Sequence, residues 1–283
     1  MVGKFLIGLI SGVGIAALAY RARSLDLSGA VAAGVLGTVV FGLAGAAWAI
    51  VLLTFFITAS GLSLILKDRK SVIAADFAKG SRRDAGQVLA NGGVSGGLAL
   101  AFFLLLLISP AHPLLPVLWA GFAASLAAAN ADTWATELGV LNPRQPISLR
   151  NFRRVAGGTS GAISLTGTLA ALAGSAVVAG VAVLVGLAGW TPPGGLGLGA
   201  QFVIISLAGL SGAMVDSALG AWIQAMYYCP TCHKDTERHP RHSCGAETTL
   251  TRGIAWLQND WVNAACTLSA AIGAMAVTVL FIL

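Results

Sequence analysis

Three carboxylates stand inside or at the edge of long apolar stretches: Asp132, Asp216 and Asp260. An acid at mid-span costs roughly 2.5 to 3.5 kcal/mol, so such a residue is expected to face a cavity, a partner group or a metal. Each has polar company at helical spacing. Asn130, Thr133 and Glu137 share one stripe, with Asp132 and Thr136 on the adjoining one, so this helix end presents several oxygen ligands. Asp216 has Gly212 and Gly220 one turn to either side. Asn259, Asp260, Asn263 and Thr267 form a similar strip, and Asn91 is the lone amide of another apolar stretch, on one face with Asp84 and Val88. Oxygen clusters of this kind suit Mg2+. The competing reading is a set of interhelical hydrogen bonds worth about 1 kcal/mol each, and Asn91 or Thr267 alone would fit it equally well.

Opposite charge lies close by in sequence. Lys79, Arg82 and Arg83 are interleaved with Asp76 and Asp84, and Arg153 and Arg154 precede Gly157, Gly158, Thr159, Ser160 and Gly161. A glycine-rich turn that opens a helix offers backbone N–H groups and a positive dipole end to a phosphate. It is not a Walker A loop, because the Lys-Ser/Thr after the second glycine is absent. Carboxylates beside such groups are what magnesium-assisted phosphoryl transfer requires. Arg21, Arg23, Lys67, Arg69 and Lys70 are equally explained by membrane topology and anionic lipid.

Cys229-Pro230-Thr231-Cys232-His233, followed by His239, His242 and Cys244, has the spacing of a zinc knuckle. Cys229, Cys232, His242 and Cys244 could close a tetrahedral structural Zn2+ site, with His239 or His233 as the alternative nitrogen ligand. Four protein ligands leave no open position for catalysis, so its expected role is bracing the loop 227–255. A c-type haem attachment would need the extracytoplasmic face, and a thioredoxin role lacks a βαβ context.

The elements that must position these groups are membrane helices. Of 283 residues 57% are hydrophobic and 10% charged, with mean hydropathy +0.83, against about a quarter charged in soluble domains. Continuous apolar runs, without ten-residue alternation, exclude a β-barrel, and the same numbers exclude disorder and water-soluble enzyme folds. The fold class is all-α, a single polytopic bundle over 1–283. About eight spans are predicted: Phe5 to Tyr20, Ser28 to Ala44, Ala46 to Leu66, Val88 to Ile108, Leu114 to Ala135, Gly161 to Ala188, Ala200 to Met226 and Trp256 to Leu283. The first carries an Ala17-Leu18-Ala19 like a signal-peptidase site, but Arg21 and Arg23 after the run favour a retained anchor. With these spans every Lys and Arg except Lys4 falls in odd-numbered loops, which places those loops, and the three acids near them, on the cytoplasmic side. Trp48, Trp119 and Trp190 at one set of span ends and Trp134, Trp222, Trp256 and Trp261 at the other are expected to form interfacial belts. The plasma membrane is the expected location, and no nucleic-acid partner is expected.

The segments Lys79 to Gly92, Ala131 to Gly139, Gly157 to Ser164 with Gly167-Thr168, Asp216-Ser217 and Leu257 to Asn263 resemble, in order, the integral-membrane family (domain of unknown function 92) that includes human transmembrane protein 19 and the plant phytyl-phosphate kinase. Together they cover most of the chain from Arg23 to Asn263. The family is distantly similar to dolichol kinase and the CTP-dependent lipid kinases. The resemblance implies transfer of a terminal phosphate, from CTP, to an isoprenyl monophosphate of phytyl or geranylgeranyl type at the cytoplasmic interface. By position it implies Asp132 and Glu137 as Mg2+ ligands, Asp216 and Asp260 as further ligands or supports, and Gly157 to Gly161 as a phosphate cradle. Lys79, Arg82, Arg83 and Arg154 would then hold phosphates, and Asn91, Asn259 and Asn263 would orient them. The Cys/His loop is not a feature of the plant enzyme and marks a subgroup. Two rivals stand beside this reading: a cytidylyltransferase that attacks the α-phosphate to give a CDP-lipid, and a secondary transporter that uses intramembrane carboxylates.

Overall fold

The computed structural model describes residues 2–66 and 82–282, so the expectations placed on Lys79 and on Lys67, Arg69 and Lys70 lie outside the described residues. Among the described residues the chain forms eight long helices: α1 (Val2–Arg21), α2 (Leu27–Val39, prolonged by the π turn Val40–Ala44), α3 (Ala46–Ile65), α4 (Ala85–Ile108), α5 (Leu115–Gly139), α6 (Leu165–Leu187), α7 (Leu198–Trp222) and α8 (Asn259–Ile282). Each falls on one of the eight anticipated spans, with ends displaced by a few residues. Small strands occur only in the loops, and the molecule is a polytopic helical membrane protein.

Seven of the helices are long and apolar enough to cross a membrane, and α5 is the exception. Its position explains the difference. Every residue from Trp119 to Ala131 is buried, and the helix packs against α3, α4, α6, α7 and α8. A helix ringed by other helices meets no lipid, so close approach matters more than oiliness, and alanines serve best. Such a position also accepts polar side chains where a lipid-facing one would not. Asn130, Asp132 and Glu137 therefore belong to the one helix shielded on most sides.

At the end of the bundle remote from these acids, Trp48 and Trp119 are each about 1% exposed and pack with Phe102 and Phe122, the Trp48 ring 4.4 Å from that of Phe122 and 4.6 Å from that of Phe102. This corrects the belt assignment for Trp48 and Trp119, which fill the core because α5 is interior. Trp190, Trp222, Trp256 and Trp261 are more than half exposed, as interfacial residues are.

Caps mark the helix starts near the charged loops. The Asp26 carboxylate accepts from Gly29 N at 2.8 Å, Asp84 and Gln87 form a reciprocal capping box, and Ser164 Oγ accepts from Gly167 N at 3.0 Å. The segment before α4 is stitched to that before α2: Arg83 N donates to Ser24 O at 3.0 Å and Asp26 N to Arg83 O at 3.1 Å. Gly29 has to be glycine here, since a Cβ would collide with the Arg83 carbonyl.

Candidate functional site

The candidate side chains gather about the C-terminal end of α5. Asn130 is not one of them. It is fully buried, accepts from Thr58 Oγ1 of α3 at 2.9 Å and donates to the Gly174 carbonyl of α6 at 2.8 Å, so both ends of its amide are engaged in fastening three helices. That bond set fixes the rotation of α5 and thereby the aim of Asp132 and Glu137. The Glu137 side chain is about 6% exposed and accepts from Ser63 Oγ of α3 at 2.7 Å. Asp132 lies on the side facing α7 and α8, where its charge acts on Asp216 and on the Cys266 thiol. Asp216 Oδ2 is buried without a hydrogen-bond partner among the described residues. A buried carboxylate oxygen with no donor, within the field of a second carboxylate, is a group that a cation or a hydrogen-bond donor would satisfy.

A fourth carboxylate arrives from the Cys/His loop. Glu237 acts electrostatically on Asp216, and Glu237 Oε1 accepts from Gln224 Nε2 at 2.9 Å, while Gln224 Oε1 accepts from Ser160 Oγ at 2.9 Å. Sequence reading passed over Glu237 and Gln224, because nothing in the spacing of a zinc knuckle indicates that its far limb returns to a membrane acid. Only the position of Gln224, a buried amide just past the end of α7, hints at it.

Arg83 supplies the cationic side. Burial lowers its pKa, and the charges of Glu137 and Asp132 act in the opposite sense. A guanidinium stays charged in either case. Its Cζ lies 5.6 Å from the centroid of the Phe55 ring. Arg82 and Arg154, by contrast, are exposed on the surface. Asp260 and Asn259 occupy the first turn of α8, partly buried, and Asn263 one turn on is buried.

The glycine-rich turn is built differently from expectation. Helix α6 starts at Leu165 behind its Ser164 cap, not at Gly161, so Gly157 to Gly161 do not form a helix N-terminus. They lead into β2 (Ala162–Ile163), which pairs antiparallel with β1 (Ile147–Ser148). Gly161 sits at φ +76° against α7, where a Cβ would collide with the Ala221 backbone. Thr159 Oγ1 donates to Ala156 O at 2.8 Å, and Ser160 Oγ also approaches Gly220 O at 3.3 Å. The turn thus docks the loop after α5 onto the end of α7.

The loop after α7 folds as a three-stranded antiparallel sheet of order β4 (Lys234–Thr236), β3 (Met226–Cys229), β5 (Thr249–Arg252). Arg252 clamps it to the bundle: Nη1 donates to Ala221 O at 2.8 Å and Nη2 to Gly220 O at 3.2 Å, a cation on the C-terminal carbonyls of α7. Cys229, Cys232, His242 and Cys244 bring one ligand atom each within 4.8 Å of one another. Cys229 Sγ is 3.5 Å from Cys244 Sγ, and His242 Nδ1 is 3.3 Å from that sulfur. Tetrahedral Zn–S bonds of about 2.3 Å put ligand sulfurs roughly 3.7 Å apart, so the set fits zinc. The Cys232 N–H donates to Cys229 Sγ at 3.5 Å. The Cys244 thiol is lowered to about 6, first by the Ala246 backbone N–H and then by His242, and hydrogen bonding to Cys244 raises Cys232 to about 11. His242 is the histidine that lies with the three sulfurs, whereas His239 stacks on Tyr227 at 4.4 Å and His233 Nδ1 meets the Tyr228 hydroxyl at 3.2 Å.

A ring of helices that hides an acidic helix end under cationic and Cys/His loops defines a polytopic membrane protein with a polar site at one interface. Residues 10–271 match the integral membrane protein family DUF92, and the chain belongs to that family. It is 33% identical over 257 residues to Protein PGR of Arabidopsis thaliana, covering 88% of this chain and 87% of that protein. It is also 31% identical over 210 residues to an uncharacterized membrane protein of Methanocaldococcus jannaschii, covering 73% of this chain and 78% of the relative. No solved structure matches the chain.

Proposed function

We propose that this protein is a nucleotide-dependent phosphotransferase that converts an isoprenyl monophosphate to its diphosphate at the membrane interface, with CTP as donor. The observation that carries the reading is an acid cluster beside a cation: the charges of Glu137 and Asp132 act on Arg83, and that of Asp132 acts also on Asp216, whose Oδ2 is buried with no hydrogen-bond partner among the described residues. Asp132, Glu137 and Asp216 would hold Mg2+, with Asp260 beside them. Bound magnesium supplies charge neutralisation on the transferring phosphoryl group. Arg83 binds the acceptor phosphate and offsets its charge. Arg82, Arg154 and Lys79 serve the nucleotide phosphates, and Asn91, Asn259 and Asn263 orient the reacting groups. An acceptor oxygen then bonds to the γ-phosphorus as the bond to the nucleoside diphosphate breaks. No general base is needed, because a phosphate monoester is largely ionised at neutral pH, with a second pKa of about 6. The Cys/His loop, braced by zinc at Cys229, Cys232, His242 and Cys244, holds Gln224 and Glu237 against the acid cluster.

The test uses purified protein with magnesium, γ- or α-labelled nucleoside triphosphates and phytyl, geranylgeranyl or undecaprenyl monophosphate. The expected product is a prenyl diphosphate carrying γ-label that vanishes in D132A. Label transferred only from the α-position would mean a CDP-lipid and overturn the kinase reading. Folded protein that yields no lipid product with any donor would leave the transporter.

A further inference from the structure

A cavity of about 260 Å3 lies between α1, α2, α3 and α4, separate from the helix contacts that bury α5. Its walls are apolar: Ile15, Leu36, Ile50, Leu53 and Phe56 contribute, with Ala33 and Ala49 leaving room. One end is different. There Arg83, Gln87 and Asn91 line it, three polar side chains in two turns at the start of α4. Gln87 Oε1 accepts from Asp84 N at 3.2 Å, and Asn91 Nδ2 donates to Gln87 O at 3.0 Å, so these amides are held in place by the helix itself. The Arg83 backbone is pinned by its bonds to Ser24 and Asp26, and its guanidinium rests over Phe55, another wall residue. The charges of Glu137 and Asp132 act on Arg83. The cavity is therefore an apolar sleeve with a fixed cation at one end, and that end adjoins the acid cluster.

We propose that this sleeve seats the proximal part of the tail of a lipid phosphate monoester, with the phosphate on Arg83 and the Gln87 and Asn91 amides, presenting it to the carboxylates of α5. This rests on the phosphotransferase reading and names its acceptor site. The occupant follows from two complementarities. Apolar walls exclude a nucleotide or a sugar, whose hydroxyls would lose their hydrogen bonds. A guanidinium and two amides lining one end of an apolar cavity offer charged and neutral donors to an anion. Size adds a limit. A cavity of about 150 Å3 holds one benzene, so about 260 Å3 takes roughly ten carbons, or two prenyl units, and a longer tail must continue into the bilayer between the helices. Recognition is thus confined to the phosphate and the first two units, and chain length beyond them is weakly selected.

The experiment uses the full chain in nanodiscs and three probes: farnesyl monophosphate bearing a photoreactive diazirine on its first prenyl unit, farnesol with the same tag, and inorganic phosphate. The tagged phosphate is expected to cross-link wall residues such as Leu36 and Ile50, read by peptide mass spectrometry. Farnesol and inorganic phosphate should each compete at least tenfold more weakly than unlabelled farnesyl monophosphate. R83Q should weaken the tagged phosphate about ten- to a hundredfold while leaving farnesol unchanged, since one charged hydrogen-bonding group is lost. A49F and A33F should each reduce labelling at least tenfold by filling the sleeve. Cross-links that map elsewhere in the folded wild-type protein, or equal binding of farnesol and its phosphate, would overturn the proposal. Wild-type labelling in the sleeve without phosphoryl transfer would uphold the site and remove the kinase. Phosphoryl transfer with KM for farnesyl monophosphate unchanged in both A49F and A33F would uphold the kinase and remove the sleeve.

Discussion

Replacing Asn130 separates a fastening role from a ligand role. Its amide joins α3 to α6 through α5 by bonds of 2.9 Å to Thr58 and 2.8 Å to Gly174, wholly out of solvent. Interhelical side-chain bonds in membranes average about 0.6 kcal/mol and reach about 1.7, so N130A, losing two, should cost about 1 to 3 kcal/mol. The Thr58 hydroxyl has an alternative acceptor in Thr54 O at 2.8 Å, which places its share at the low end. T58V should therefore cost about 0.6 kcal/mol, and the double variant less than the sum, by a coupling of about 0.6 kcal/mol. The assay is reversible unfolding in mixed micelles, followed by tryptophan fluorescence, for wild type, N130A, T58V and the pair. Phosphotransferase activity in N130A should fall only in proportion to a loosened α5. Stability unchanged in N130A with activity abolished would refute the reasoning and return Asn130 to the ligands. Strict additivity with T58V would show that the 2.9 Å contact carries no energy.

Two more expectations test the loops. Purified protein should contain about one zinc per chain by elemental analysis, and both C244S and H242A should lose it, whereas H239A and H233A should retain it. A chelator that strips the metal should expose the loop 227–255 to limited proteolysis, because a small sheet braced by zinc unfolds without it. G161A should be destabilised by about 1 to 3 kcal/mol in thermal unfolding, since a Cβ at φ +76° is strained and meets the Ala221 backbone. G157A, outside that contact, should stay within about 0.5 kcal/mol of wild type.

Hydropathy and charge placement were enough to anticipate the helical membrane bundle and its eight long helices, because a helix in lipid must satisfy its backbone internally and carry apolar side chains over a fixed length. Local chemistry was equally legible in the Cys/His cluster, since spacing already grouped Cys229, Cys232, His242 and Cys244, whose ligand atoms lie within 4.8 Å of one another. What sets His239 aside was not legible, since its ring stacks on Tyr227, a contact that only the tertiary structure makes. Asn130 shows the same limit: spacing put it among oxygen ligands, whereas its partners lie on two other helices.

Residue type alone marks which side chains are costly in a membrane, Asp132, Glu137, Asp216 and Asp260 among them, because transfer energy belongs to the side chain. Which helix would be shielded, so that Trp48 and Trp119 pack inside, was decided by packing alone. The tertiary structure likewise decided that Glu237 accepts from Gln224 and acts electrostatically on Asp216, and that Arg83 lines one end of an apolar sleeve beside the acids. Such meetings depend on which faces of distant segments pack together, and periodicity along one chain carries no record of its neighbour.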